Sequence, residues 1–385
     1  MTTNTFKKNI NLNRIYVVLT GFGITTLWVS YLSYKGMSLV EIGLLESVFH
    51  LTGFSFEIVT GVLADKYGYK KILILGRIMS IISGVIMIFA SSFWTFVIAF
   101  IFSALSYNLN SGTNEALLFE SLKQLNEEDN YMSYVAKANL GFEISSAVGV
   151  FIAGVLAKNF FVYTYHISVV VAILAIVCIL AMTQPIIEVS KKRTVIDYFK
   201  EGYKDLVSNP KLLLIMSFFS LLDTILAVFY HYFQDYLSVL GHDSFVMGVL
   251  IVIALGFQLV ASYKIESVEK KLKRKKTIVL LVFLLCIAIV LAKFEYIVFL
   301  AISFTLVMCI ITLSFVLNNS YINEMIDSEK RATMLSISSM FYSIFMILLF
   351  PIVGLLITSV GYGNVFNILI VIIIVLGVLA YKNID

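Results

Sequence analysis

The sequence predicts an all-α membrane protein of twelve transmembrane helices in two pseudo-symmetric six-helix bundles, and three observations carry that reading. The 385-residue chain is 60% hydrophobic and only 14% charged, with a mean hydropathy of +0.95. Soluble domains are typically about one quarter charged and keep a polar face on each helix. Apolar runs recur at the length of about 20 residues that a hydrocarbon layer of about 30 Å demands, and the alternating segments of an outer-membrane barrel are absent. A single charged stretch, QPIIEVSKKRTVIDYFKEGYKDLVSNP, divides these runs into two sets.

Taken in order, the first-half spans fall near 15–34, 40–64, 72–90, 93–121, 133–157 and 160–183. The second-half spans fall near 210–237, 244–264, 277–292, 294–323, 331–358 and 361–381. This divides the chain into an N-terminal bundle over 1–183, a cytoplasmic linker over 184–209 and a C-terminal bundle over 210–385. The polar start MTTNTFKKNINLNR leads into the first span without a small-residue cleavage site, so that span is expected to stay in the membrane. Orientation follows from the basic residues of short loops, which collect on the cytoplasmic side. Lys7, Lys8, Arg14, Lys66, Lys70, Lys71, Lys191, Lys192, Arg193 and the run from Lys270 to Lys276 lie on one side, against Lys35, Lys158 and Lys293 on the other. Both termini are therefore expected in the cytoplasm. The abundance of Ile, Lys, Asn and Tyr is that of an AT-rich bacterial genome, so the expected location is a bacterial plasma membrane. Orientation and an anionic lipid surface account for the net charge of +4, and no nucleic acid partner is expected. Cys178, Cys286 and Cys309 fall inside apolar runs without metal-type spacing and are expected to pack.

The two halves echo one another. NEALLFESLK and NNSYINEMID set Asn114 against Asn318 and Glu120 against Glu324 at one offset of 204 residues, which also lays Lys70 and Lys71 over Arg274 and Lys275. Like halves around a central path are a transporter plan.

Between the second and third spans stands GVLADKYGYKK, Gly61 to Lys71. It resembles the signature loop of the major facilitator superfamily through Gly61, Leu63, Ala64, Asp65, Lys66, Gly68 and Lys70, with Tyr69 where the first of the final basic pair would stand. The resemblance implies the major facilitator fold over the whole chain and a cytoplasmic latch made by Gly61, Asp65, Lys66, Gly68, Lys70, Arg77 and Glu120. Physically, Gly61 permits close helix approach, Gly68 a tight turn, and Asp65 can face the positive end of a neighbouring helix. With Tyr69 uncharged, Arg77 or Lys70 is expected to pair with Glu120. SGTNEALLFESLK is similar to a phrase of small bacterial drug exporters of the proton-antiporter type. Asn108 stands where their span-four arginine would, and span five keeps Gly149 and Gly154 but lacks their proline.

An ionisable residue inside a span costs about 2.5–3.5 kcal/mol on insertion scales and so marks a cavity or a partner. Glu46, His50, Gly53, Glu57 and Gly61 fall within about an 80° sector of span two. Glu115 in span four and Glu143 in span five add two more carboxylates. The proton-coupling candidates are therefore Glu46, His50, Glu57, Glu115 and Glu143, and the cavity candidates are Asn108, Ser111, Asn139, Asp223, Thr224 and Asn319.

The chain has no Gly-Lys dipeptide, hence no P-loop, and no H-E-x-x-H or G-x-S-x-G pattern. Neither an enzyme nor an ATP-driven pump is indicated, and no cofactor or metal is expected. The leading expectation is proton-coupled efflux of amphipathic or cationic small molecules by alternating access. Proton-coupled uptake of a small nutrient or peptide, or lipid flipping on the same fold, is the alternative. The partners expected are a small-molecule substrate, protons and the bilayer, with the monomer as the working unit.

Overall fold

The computed structural model describes residues 3–185, 206–326 and 331–383, together with Gly202 and Lys204. Eleven helices among them are long and apolar enough to cross a membrane. In chain order the first half contains α1 (Thr3–Thr20), α2 (Trp28–Tyr34), α3 (Leu39–Tyr67), α4 (Tyr69–Phe89), α5 (Phe93–Asn110), α6 (Thr113–Lys123), α7 (Tyr131–Ala157) and α8 (Tyr163–Ala181). The second half contains α9 (Pro210–Val239), α10 (Ser244–Ala292), α11 (Ile297–Met325), α12 (Arg331–Val360) and α13 (Tyr362–Asn383). Within α10 two crossings, Ser244–Ile265 and Lys271–Ala292, flank a non-helical Lys273 with φ 63°. The chain is a helical membrane protein, and the described residues contain no strand.

Two units emerge from the packing, Met1–Tyr31 with Val48–Arg193 and Leu32–Ser47 with Thr194–Asp385. In the first, α4 packs on α5 and α8, while α1 lies on α6, α7 and α8. Tyr16, Leu73, Leu117 and Ile179 are fully buried where these helices meet. In the second unit α9 is the central helix, packed on α11 and α12. Its apolar stretch is 67% buried, against 28% for Ser244–Ile265.

Two crossings expected as single helices are interrupted. The 15–34 span breaks between Thr20 and Trp28. Gly21 and Gly23 lie against α7: a Cβ on Gly21 would come within 2.4 Å of the Phe142 ring, and one on Gly23 within 2.9 Å of the Ser146 carbonyl oxygen. The 93–121 span breaks at Ser111 and Gly112, where Gly112 takes φ 72°, a conformation glycine adopts without steric penalty. In both cases a glycine admits a backbone path or an approach that a helix with side chains forbids.

The Leu32–Ser47 segment joins the second unit through a proline. Pro351, inside α12, has no N–H for the carbonyl of Ile347. The Ser47 hydroxyl donates to that oxygen at 2.8 Å, and Tyr232 Oη donates to the carbonyls of Leu39 and Phe350 at 3.1 and 2.9 Å.

A Cβ on Gly149 would stand 2.5 Å from the Gly23 backbone nitrogen, whereas nothing lies within 4 Å of one on Gly256. Gly149→Ala should therefore cost about 1–3 kcal/mol as an overpacked substitution. Thermal unfolding in detergent should show a lowered midpoint for Gly149→Ala and none for Gly256→Ala.

Candidate functional site

The first unit contains a cavity of about 340 Å³ whose polar wall is Asn13 and Thr20 of α1, Asn110 of α5, Asn114 and Glu115 of α6, and Asn139 and Glu143 of α7. Its apolar wall includes Val17, Leu118 and Phe142, and among the described residues no lysine or arginine lines it. The interrupted helices build this wall. Because span four restarts at Thr113, Glu115 sits in the first turn of α6, where the exposed N–H groups favour an anion.

Two separate hydrogen bonds fix the amides. Asn13 Nδ2 donates to Asn114 Oδ1 at 2.7 Å, and Tyr16 Oη donates to Asn110 Oδ1. Each bonded carbonyl oxygen leaves the amino group of Asn110 or Asn114 available as a donor, and the buried Asn13 Oδ1 has no partner among the described residues. The cavity thus offers amide donors, an amide acceptor and two carboxylates.

The second unit holds a cavity of about 450 Å³ lined by Ser220, Asp223, Asn318, Asn319, Ser338, Ser339 and Tyr342 with Ile311 and Phe315. Ser314 Oγ donates to the Asp223 carboxylate, and Asn318 Nδ2 donates to Ser338 Oγ at 3.3 Å. Asn318 Oδ1 is buried without a partner among the described residues, as is Asn13 Oδ1 in the first unit. Asn114 and Glu115 line one cavity, and Asn318 and Asn319, each 204 positions on, line the other.

Of the residues expected from sequence, Glu115, Glu143 and Asn139 line the first cavity, and Asp223 and Asn319 line the second. The remaining candidates lie elsewhere. Asn108 is buried and donates to the Gly53 carbonyl at 2.7 Å, so it ties α5 to α3. Thr224 is wholly buried and bonds back to Ser220 O at 2.8 Å, and Ser111 is exposed at the end of α5. On α3, Glu46 is buried within the second unit, His50 sets its ring edge-on to Phe49 at 5.5 Å, and Glu57 is half-buried. None of these three lines either cavity.

In the signature loop, Gly68 turns the chain between α3 and α4 with φ 91°. Gly61 and Asp65 lie outside the residues whose side chains are described, and Lys66 is exposed over the Tyr67 ring. The expected pairing of Lys70 or Arg77 with Glu120 is not what these cations do. Lys70 Nζ donates to the carbonyls of Leu180 and Met182 at 2.8 and 2.7 Å, closing the C-terminal end of α8, where a cation meets the negative end of the helix. Arg77 reaches Ser106 Oγ at 3.4 Å and lies over the Tyr16 ring. The ion pair occurs instead at the related positions of the second half, Arg274 to Glu324 at 2.5 Å. Glu120 is half-buried on α6.

Sequence reasoning left Asn13, Thr20, Ser338 and Tyr342 outside the site. Asn13 lies in a polar segment that reads as a lead into the first span, and only the docking of α1 turns it inward. Asn318 carried a signal in its 204-residue relation to Asn114.

A transmembrane helical protein with a small polar cavity in each half is a solute transporter in architecture. The chain belongs to the Major Facilitator Superfamily, whose family model matches residues 15–322 and again 267–384. It is 29% identical over 139 residues to an uncharacterized transporter of Buchnera aphidicola subsp. Acyrthosiphon pisum, covering 36% of this chain and 34% of that one. It is 34% identical over 89 residues to the uncharacterized MFS-type transporter YxaM of Bacillus subtilis, covering 23% of this chain and 22% of that one. The matched segments thus span 34% and 22% of these relatives' lengths. Among solved structures, the nucleoside transporter NupG superposes with a TM-score of 0.80 at 14% identity, covering 98% of both chains. The D-xylose-proton symporter superposes with a TM-score of 0.75 at 12% identity, covering 99% of this chain and 98% of that one. At these identities the likeness is one of fold.

Removing the Asn114 amide strips a buried acceptor from Asn13. Asn114→Ala should lower stability by about 1–3 kcal/mol, the cost of an unsatisfied buried donor. Asn139→Ala, at an exposed residue, should stay within about 0.5 kcal/mol. Melting curves of the two purified variants distinguish the cases.

Proposed function

We propose that the protein is a proton-coupled secondary transporter that takes up a small polar solute bearing hydroxyl or amine groups, working by alternating access. One observation carries this reading: Glu115 and Glu143 line a single cavity with four asparagines and, among the described residues, no lysine or arginine. Two carboxylates on one wall, both within helical stretches long and apolar enough to cross a membrane, need compensation, since an uncompensated charge in hydrocarbon is costly. With no cation among the described wall residues, protons or the solute supply that compensation, and competition between them for the same oxygens couples their movements. The amides of Asn13, Asn110 and Asn114 suit hydroxyl groups, which each can meet as donor or acceptor. NupG and the D-xylose-proton symporter are named for solutes of that chemistry, which supports uptake.

The energetics are sufficient. One pH unit corresponds to about 1.4 kcal/mol, and one charge crossing 100 mV to about 2.3 kcal/mol. In this reading Asp223, held by Ser314, and the Asn318–Ser338 pair supply the second unit's solute contacts. The division into bundles over 1–183 and 210–385, with the 184–209 linker and both termini in the cytoplasm of a bacterial cell, belongs to the same proposal, as does a monomeric working unit.

Efflux of organic cations is the second reading. Two carboxylates without a cation in the wall also suit a positively charged solute, and the exporter-like phrase from Ser111 to Lys123 favours it.

The test is transport in proteoliposomes with an imposed proton gradient, using a labelled nucleoside, a labelled pentose and a fluorescent organic cation. Gradient-dependent accumulation of a neutral solute with protons supports uptake. Cation movement against the proton flow supports efflux instead. Glu143→Gln should abolish the pH dependence of transport while leaving the melting temperature unchanged. Normal gradient-driven transport by a well-folded Glu143→Gln protein would remove that carboxylate from the coupling.

A further inference from the structure

The start of α1 has two chemically opposite faces, and among the described residues the bundle hydrogen-bonds to the asparagine face. At 100° per residue, Asn9 and Asn13 lie roughly opposite Lys7, Asn11 and Arg14, with Lys8 at the edge of the basic face. The asparagine face is bound. Asn9 Nδ2 donates to Ser121 Oγ at 3.0 Å and to the Thr183 carbonyl at 2.7 Å, Asn9 Oδ1 accepts from the Thr183 N–H at 2.8 Å, and Asn13 bonds Asn114. These contacts hold the helix in one rotation and turn the basic face outward.

That outward face forms the wall of a cavity of about 520 Å³ lined by Lys7, Lys8, Ile10, Asn11, Leu12, Arg14 and Tyr134. Among the described residues no acidic one lines it. The acid nearest in the bonding pattern is Glu127, which accepts from Tyr134 Oη at 2.9 Å. The Arg14 guanidinium lies 5.1 Å from the centre of the Tyr134 ring, and its Nε is buried without a hydrogen-bond partner among the described residues. An arginine held by an aromatic face, with a donor unpaired and two ammonium groups on the same wall, is built to receive a phosphate.

The membrane is the source that the helix itself indicates. Further along the same face Ile15 and Val18 are 52% and 38% exposed, so the cations stand where exposed apolar surface begins. Lipid headgroups lie at that level. We propose that Lys7, Lys8, Arg14 and Tyr134 form a binding site for the phosphate of an anionic phospholipid headgroup, with α1 as its fixed wall. The site is independent of the solute cavity and of the direction of transport.

The test is native mass spectrometry of the full chain released from nanodiscs of phosphatidylcholine containing one fifth phosphatidylglycerol, with inorganic phosphate added to phosphatidylcholine-only nanodiscs as the second arm. The wild type should retain phosphatidylglycerol. Lys7→Gln/Lys8→Gln, at two exposed positions remote from the packed face, should bind it about 25-fold more weakly, from about fivefold per charge. Arg14→Gln should lose retention more completely, and Arg14→Lys should recover only part of it. Saturable binding of inorganic phosphate, lost in the same variants, would support the phosphate site and identify a soluble source in place of lipid. Equal retention by wild type and the double variant would overturn the proposal. Because Lys7 and Lys8 make no packing contact in the core, that comparison stands even if Arg14→Gln fails to fold.

Discussion

Hydrocarbon offers no water to a backbone N–H or carbonyl, and every departure from helix in this protein has to answer to that constraint. Where α1 ends, the carbonyl of Val18 loses its helical donor because the Phe22 N–H turns to Leu19, and the hydroxyl of Ser145 donates to it at 2.7 Å. At Pro351 the orphaned Ile347 carbonyl takes the hydroxyl of Ser47. At the end of α8 the ammonium of Lys70 serves two carbonyls at once. Each irregularity is thus also a junction between helices, because the group that satisfies the backbone comes from another element.

The same constraint explains where polar groups gather. A break in a helix brings backbone and small polar side chains to a place that straight helices would fill with apolar surface. The interruptions at Gly21–Leu27 and Ser111–Gly112 flank the first cavity, where Asn13 holds Asn114 and Tyr16 holds Asn110. The second unit reaches a related arrangement with continuous helices: Asn318 keeps the place of Asn114, while serines replace amides and Asp223 supplies the carboxylate. Repetition at 204 residues therefore preserves position more closely than chemistry.

Charges were the least predictable part of the site. Periodicity placed Glu46, His50 and Glu57 on one stripe of α3, yet a stripe fixes only direction, and what stands opposite it depends on the neighbouring helices. Asn108 faces Gly53, a residue without a side chain to keep it away, and its amide is consumed by that backbone. The sequence offered Lys70 the Glu120 carboxylate as a partner. The turn at Gly68 and the approach of Gln184 bring it instead to the C-terminal end of α8. The pair expected for it appears as Arg274 and Glu324 in the other half.

The sequence by itself determined the class of the protein: apolar length and the scarcity of charge demand membrane helices, and GVLADKYGYKK carries the family resemblance. It also determined that Glu115, Glu143 and Asp223 are expensive residues that need a reason. Only the tertiary structure decided which polar residues share a cavity, because sharing depends on where helices break and how they rotate against one another. Those outcomes rest on contacts such as Gly149 on Gly23 and Asn9 on Thr183, between residues more than 100 positions apart, and no local pattern encodes them.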